Sequence, residues 1–200
     1  HTGIDVLSHS LEAYVGTKAS AYSDALAEKS GELLVENLLK SYTDQNDLDA
    51  KDKMHQASML AGLAFENGGL GLNHSIAHQL GGFYHIPHGL ANGIVLNEVI
   101  DFNSKNSLAR KKYAKYTRKI GLADRNHSDE DCILILKYFI DQLQIKIDMP
   151  RSLSDYGLDE KDHMSNLEEL ARNVLKDNCI KTTPLVPSQK EVVDILKKLI

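Results

Sequence analysis

The sequence predicts an all-α protein, a bundle of seven to nine helices forming one domain over residues 1–200. Three observations carry this reading. Only four prolines occur, Pro87, Pro150, Pro184 and Pro187, leaving long stretches free to be helical. Apolar residues recur at spacings of three and four, and no segment gives a convincing period of two. Taken in order, Thr2-Gly3-Ile4-Asp5 reads as a capping box opening a first helix, with Thr2 as N-cap. Leu26, Leu33, Leu34 and Leu38 mark a helix within 19–41, and Met54, Ala57, Ala61, Ala64 and Phe65 another within 50–67. Pro87 suits the first turn of a further helix. Ile133, Leu136, Ile140 and Leu143 mark the next, followed by Leu167, Leu170, Val174 and Leu175, and finally Val192, Ile195, Leu196 and Leu199. Residues 43–48 and 122–129 read as loops, and Met149-Pro150 interrupts the pattern after Ile147.

At 42% hydrophobic and 26% charged, the 200 residues are globular material and not a disordered tail. The net charge of −5 is spread along the chain, which argues against a nucleic-acid or anionic-lipid face and leaves small molecules or protein as partners. No apolar run approaches the roughly 20 residues of a membrane span. Cys132 and Cys179 form no C-x-x-C pair, as expected in a reducing cytoplasm. The chain starts at His1 without methionine and is expected to be a piece of something longer, with His1 as a tag remnant.

Nine histidines are many for this length, and His74, His78, His85 and His88 fall within one stretch of fifteen residues flanked by glycines. His55, His127 and His163 lie among charges on polar segments and receive no function. Asp5 and His9, four residues apart, share one helix face and can reach a single ion. For that pair alone, capping by Asp5 is favoured over ion binding. Glu12, three beyond His9, is either a surface residue or an acceptor for an imidazole N–H. His88, at a helix N-terminus, is expected to stay neutral near pH 7. Asp5 and His9 need one or two more ligands, and His74, His78, His85 and His88 are all candidates. One carboxylate with three imidazoles suits Zn²⁺ or Fe²⁺ with a position left open for substrate, which points to catalysis. The glycines follow no strand, fit no G-x-G-x-x-G turn and accompany no Walker A or G-x-S-x-G motif, so no nucleotide site is expected from this chain alone.

The blocks Thr2-Gly3-Ile4-Asp5-Val6-Leu7-Ser8-His9, Ala61-Gly62-Leu63-Ala64-Phe65, Gly69-Leu70-Gly71-Leu72-Asn73-His74-Ser75-Ile76-Ala77-His78 and Pro87-His88-Gly89-Leu90-Ala91-Asn92 resemble the signatures of the iron-containing (group III) alcohol dehydrogenases. The resemblance is dense from residue 1 to about 103 and looser to the end. It is closest to the bacterial branch acting on short primary alcohols and diols. It implies the C-terminal helical metal-binding domain of that architecture, with NAD or NADP bound mainly by an N-terminal α/β domain outside this chain. It also implies that Asp5, His9, His74 and His88 bind Fe²⁺, with Zn²⁺ as the alternative. His78 then lies towards the nicotinamide and substrate as a catalytic residue relaying the alcohol proton, and Phe65 lines the substrate cleft. The implied partners are a small alcohol or aldehyde and further copies of the full-length protein, a homo-oligomer.

A zinc-dependent glycerol dehydrogenase or dehydroquinate synthase relative and a non-catalytic helical metal module are the rival readings. Four positions depart from the family's usual pattern: Glu66 for Asn, Gly68 for Ala, Asn97 for Pro and Thr183 for Asn. None removes a ligand, and Glu66 and Gly68 bear on the cleft. An uncovered apolar patch is expected around Phe65, Leu70 and Leu72.

Overall fold

The computed structural model describes all 200 residues, in ten α-helices, one 3₁₀ turn and no strand. The helices are α1 (Thr2–Val15), α2 (Ala21–Thr43), α3 (Leu48–Gly68), α4 (Leu72–Tyr84), α5 (His88–Asn103), α6 (Ser107–Lys119), α7 (Asp129–Lys146), α8 (Leu153–Tyr156), α9 (Glu160–Val174) and α10 (Gln189–Lys197), with the 3₁₀ turn at Asn178–Thr182. The single-turn α8, capped by Ser152 and closed by the left-handed Gly157, is the element that apolar periodicity cannot register. The loops read at 43–48 and 122–129 and the break at Met149-Pro150 fall between helices.

Helix α1 is central and packs against α2, α3, α5 and α6. Residues on nearly all its faces are buried, from Ile4 and Leu7 to Leu11 and Tyr14. A helix enclosed by partners on this many sides belongs inside, and Ser8, Ser10 and Glu12 are buried along with its apolar residues. Helix α5 is buried from Gly89 to Leu96 in the same way. The long helices α2 and α3 pair through Ala57, Ala61 and Ala64, whose small side chains permit close approach. In the second half, α9 and α10 are two-faced. Leu167, Leu170 and Val174 of α9 and Val192 and Leu196 of α10 join the core while their charged faces meet water.

Two glycines fix how the central helices meet. A Cβ on Gly68 would lie 2.6 Å from the Ala13 carbonyl oxygen, so the departure from alanine there lets the end of α3 seat directly on α1. Gly69 follows with φ +84°, a left-handed conformation that ends α3. At the other end, a Cβ on Gly89 would lie 2.6 Å from the His1 carbonyl oxygen. Only glycine lets the first turn of α5 abut the first turn of α1.

Two local expectations, the Thr2–Asp5 capping box and an uncovered Leu72, are overturned, and His163 proves to be a packed histidine. Thr2 is already the first residue of α1, the N-cap is His1, and no side chain caps this end, so Thr2 and Asp5 form no capping box. His163 is wholly buried, sends Nε2 to the Leu196 carbonyl oxygen at 2.9 Å and packs on Tyr84, despite the charged residues around it in sequence. Those neighbours sit on the solvent face of α9, and His163 turns inward. Leu72 is fully buried and cannot contribute to an apolar surface patch, whereas Phe65 and Leu70 remain half-buried. No helix is long and apolar enough to cross a membrane.

Candidate metal centre

Asp5, His74 and His88 all stand in the first turn of their helices α1, α4 and α5, and His9 follows one turn after Asp5. The abutting starts of α1 and α5 bring these residues to one point. One ligand atom from each of the four lies within 4.8 Å of the others. Asp5 Oδ1 is 3.6 Å from His74 Nε2, 3.6 Å from His88 Nε2 and 4.0 Å from His9 Nε2. Donors about 2.1 Å from one cation stand roughly 3 to 4 Å from each other, so this spacing fits a single ion with little rearrangement. The rings are packed as well: His9 stacks on His74 with centroids 4.6 Å apart, and Phe65 covers His9 at 4.6 Å.

The surrounding hydrogen bonds fix the ring orientations. Glu12 is buried and serves α4 with both oxygens: Oε1 accepts from the Asn73 N–H at 2.7 Å and Oε2 is 2.5 Å from His74 Nδ1. Of the two readings of Glu12, the structure supports the imidazole acceptor, but for His74 and not for its sequence neighbour His9. With Nδ1 committed to Glu12, Nε2 is the nitrogen that faces the other donors. Asn92 was not singled out from sequence, yet its Nδ2 donates to Asp5 Oδ1 at 2.8 Å and lies 3.1 Å from His88 Nε2 and 3.3 Å from His74 Nε2. Its Oδ1 in turn accepts from Asn73 Nδ2 at 2.8 Å. The available signal was its place four residues after His88, on the same face of α5.

Electrostatics agree with a cation. Burial disfavours charge on His74, but Glu12 and Asp5 outweigh it and hold its pKa up to about 9. Burial, together with the neighbouring His74, pulls His9 down to about 4. His88 is also pulled down, by burial first. Asp5 stays below the usual carboxylate range although burial opposes this, because His74 beside it and the other imidazoles favour its charge. Two carboxylates thus draw positive charge into a pocket lined by three imidazoles, two of which resist protonation. That donor set fits a divalent ion of the zinc or ferrous type.

His78 and His85 stand outside this cluster. His85 is exposed in a left-handed conformation and ends α4. His78 is exposed, its ring stacked on His88 at 5.5 Å, and Nδ1 lies 2.9 Å from Asp177 Oδ2. Asp177, His78 and Cys179 form a second group. Glu66 is exposed on α3, and Thr183 is buried beside Gly71. Asn97 donates to Asp141 Oδ1 at 2.8 Å, tying α5 to α7 where a proline could not.

Comparison with known proteins identifies the family. The model of the Fe-containing alcohol dehydrogenase family, C-terminal, matches residues 1–200. The chain is 40% identical to the 1-propanol dehydrogenase PduQ of Citrobacter freundii over 201 residues, covering 100% of this chain and 54% of that protein. It is 39% identical to the NADPH-dependent butanol dehydrogenase of Clostridium saccharobutylicum over 197 residues, 98% of this chain and 49% of that one. Among solved structures, 1,3-propanediol oxidoreductase superposes with a TM-score of 0.92 at 32% identity, over 100% of this chain and 50% of the other. The chain spans about half the length of the relatives it matches. With its whole length matched by the family model and its helices superposed on a solved relative, this chain belongs to the iron-containing alcohol dehydrogenase family, as its C-terminal helical part.

Proposed function

We propose that this chain is the metal-binding half of an NAD(P)-dependent alcohol dehydrogenase that interconverts short primary alcohols and their aldehydes. The single observation supporting this most is the convergence of three imidazole Nε2 atoms on one oxygen of Asp5, within a chain of this family. Asp5, His9, His74 and His88 are the proposed ligands. Fe²⁺ is the proposed ion on the strength of the family, and the donor set accepts Zn²⁺ as well. A divalent cation held there supplies Lewis acidity towards the oxygen of an alcohol or aldehyde.

The remaining chemistry belongs to side chains. Glu12 keeps Nε2 of His74 directed at the site, and Asn92 holds the Asp5 carboxylate. Phe65, half-buried against His9, lines the cleft and keeps water from one flank. His78, exposed and stacked beside His88, is placed to take the alcohol proton and pass it to solvent. The nicotinamide that exchanges hydride with the substrate carbon would be bound mainly by a separate α/β domain of the full-length enzyme. The short-alcohol range is proposed from the propanol and butanol dehydrogenases that the chain resembles.

Comparing two variants of the full-length enzyme tests the assignment. His74→Ala is expected to abolish stoichiometric metal in elemental analysis and, with it, propanol oxidation. His78→Ala is expected to retain the metal and slow turnover by about 10²-fold, as for loss of an acid–base group. Equal metal loss in both variants would show that the histidine roles are misassigned.

A further inference from the structure

We propose that Asp177 is a positioning residue for His78, fixing its tautomer from a segment almost a hundred residues away in sequence; this rests on the reading of His78 as the proton relay. Asp177 N-caps the 3₁₀ turn and divides its two oxygens. Oδ1 accepts from the Cys179 backbone N–H at 2.8 Å, and Oδ2 meets His78 Nδ1 at 2.9 Å. A carboxylate only accepts, so the contact requires a proton on Nδ1 and leaves the Nε2 lone pair free.

The turn carrying Asp177 is itself anchored. The Thr182 hydroxyl donates to the Leu70 carbonyl just before α4, and the Thr182 carbonyl accepts from the Thr17 N–H at 2.9 Å after α1. Thr183 and Gly71 pack beside these contacts. The carboxylate therefore sits at a set distance from the helix that carries both His74 and His78. Across the ring from Asp177, His78 stacks on His88. A histidine on an exposed helix face ordinarily samples several rotamers and both tautomers. Here one partner selects one of each.

The trio of His78, Asp177 and Cys179 also has the composition of an ion site, but the thiol argues otherwise. Burial, with Asp177 beside it, pushes Cys179 up to about 12, so it stays protonated. Asp177 is thus engaged by two hydrogen-bond donors, the Cys179 backbone N–H and the His78 imidazole.

Asp177→Asn separates positioning from capping. Asparagine caps as well as aspartate does, so the 3₁₀ turn is kept. It has only one acceptor oxygen, however. With that oxygen on the Cys179 N–H, its amide presents hydrogens to His78 Nδ1 and favours the opposite tautomer. The experiment uses the full-length enzyme, zinc-loaded to remain diamagnetic and labelled with ¹⁵N-histidine, with propanol kinetics measured in parallel. The expected result is an Nδ1-protonated His78 in the parent and an Nε2-protonated one in Asp177→Asn. Turnover should fall by about 10²-fold while KM and metal content stay within twofold. An Nε2-protonated His78 in the parent, or an unchanged tautomer in Asp177→Asn, overturns the proposal. So does full turnover in Asp177→Asn when His78→Ala is slow. If His78→Ala turns over normally, the relay reading fails, while the tautomer measurement still decides whether Asp177 governs the ring.

Discussion

The half of the chain from α1 to α5 and the half from α6 to α10 are built on different terms. In the first, buried polar groups are dense and interlocked: Ser8, Ser10, Glu12, Asn73, His74, Ser75 and Asn92 are all shielded from water, and Glu12, Asn73, His74 and Asn92 join in one hydrogen-bonded set around Asp5. In the second, the helices bury ordinary apolar stripes, and its buried polar residues, such as Gln144 and His163, stand singly. The difference teaches that the first half carries the proposed site and the second supports it, with Asp177 reaching back to His78. Buried polar networks are costly unless complete, so their concentration in α1, α4 and α5 marks where structure has been committed to a site.

The contrast predicts different responses to single changes. The largest is expected for Glu12→Ala, which leaves the Asn73 N–H and His74 Nδ1 buried without an acceptor. Breaking a buried pair in this way costs about 3–5 kcal/mol, and metal retention should fall as well, read by urea unfolding and elemental analysis of the same preparation. Leu196→Ala in α10 comes next. Truncating a fully buried leucine costs about 3 kcal/mol, yet the folded variant is expected to keep its metal content. Metal loss in Leu196→Ala equal to that in Glu12→Ala would erase the distinction between the halves.

The smallest effect concerns His163. Burial holds its pKa below the ordinary value in the folded chain, so the unfolded chain takes up the proton first as pH falls. Its contribution is therefore present above about pH 6.5, the ordinary histidine value, and is lost as pH drops towards the folded pKa. Thermal melts of the parent and His163→Gln at pH 7 and pH 5 should show the stability gap narrowing at the lower pH. A constant gap would mean that the proton never distinguishes folded from unfolded chain at this position.

Much of this is legible in sequence, and what is not has separate physical causes. The helices α2, α3, α7, α9 and α10 are two-faced, so their apolar spacing shows through. Helix α5, buried from Gly89 to Leu96, has no polar side to set a period, and Pro87 marks its start instead. Asp5 and His9 were visible as a pair because one helix face holds both. Which of His74, His78, His85 and His88 complete the set depends on how α4 and α5 meet α1, and spacing carries no such information; family resemblance supplied it. Asn92, a neutral amide, carries no signal of a site in sequence beyond its spacing of four from His88. Asp177 escaped because its partner is distant in sequence, although Asp177-Asn178-Cys179 carries the signal of a side chain capping its own turn. His163 packs inside although its sequence neighbours are charged, because they occupy the opposite face of α9.

The Glu12 carboxylate spans 61 and 62 residues of chain to reach the Asn73 N–H and the His74 ring. Between its two ends lies the helical hairpin of α2 and α3, joined by the short loop 44–47. Closing a long loop costs entropy before any contact rewards it. The cluster around Asp5 therefore has no local nucleus of its own and requires α1 and α4 to be brought together across the α2–α3 hairpin. Its appearance during refolding marks the arrival of the native topology, and a partly folded chain that has gained most of its helix content still has no place where Asp5 meets His74.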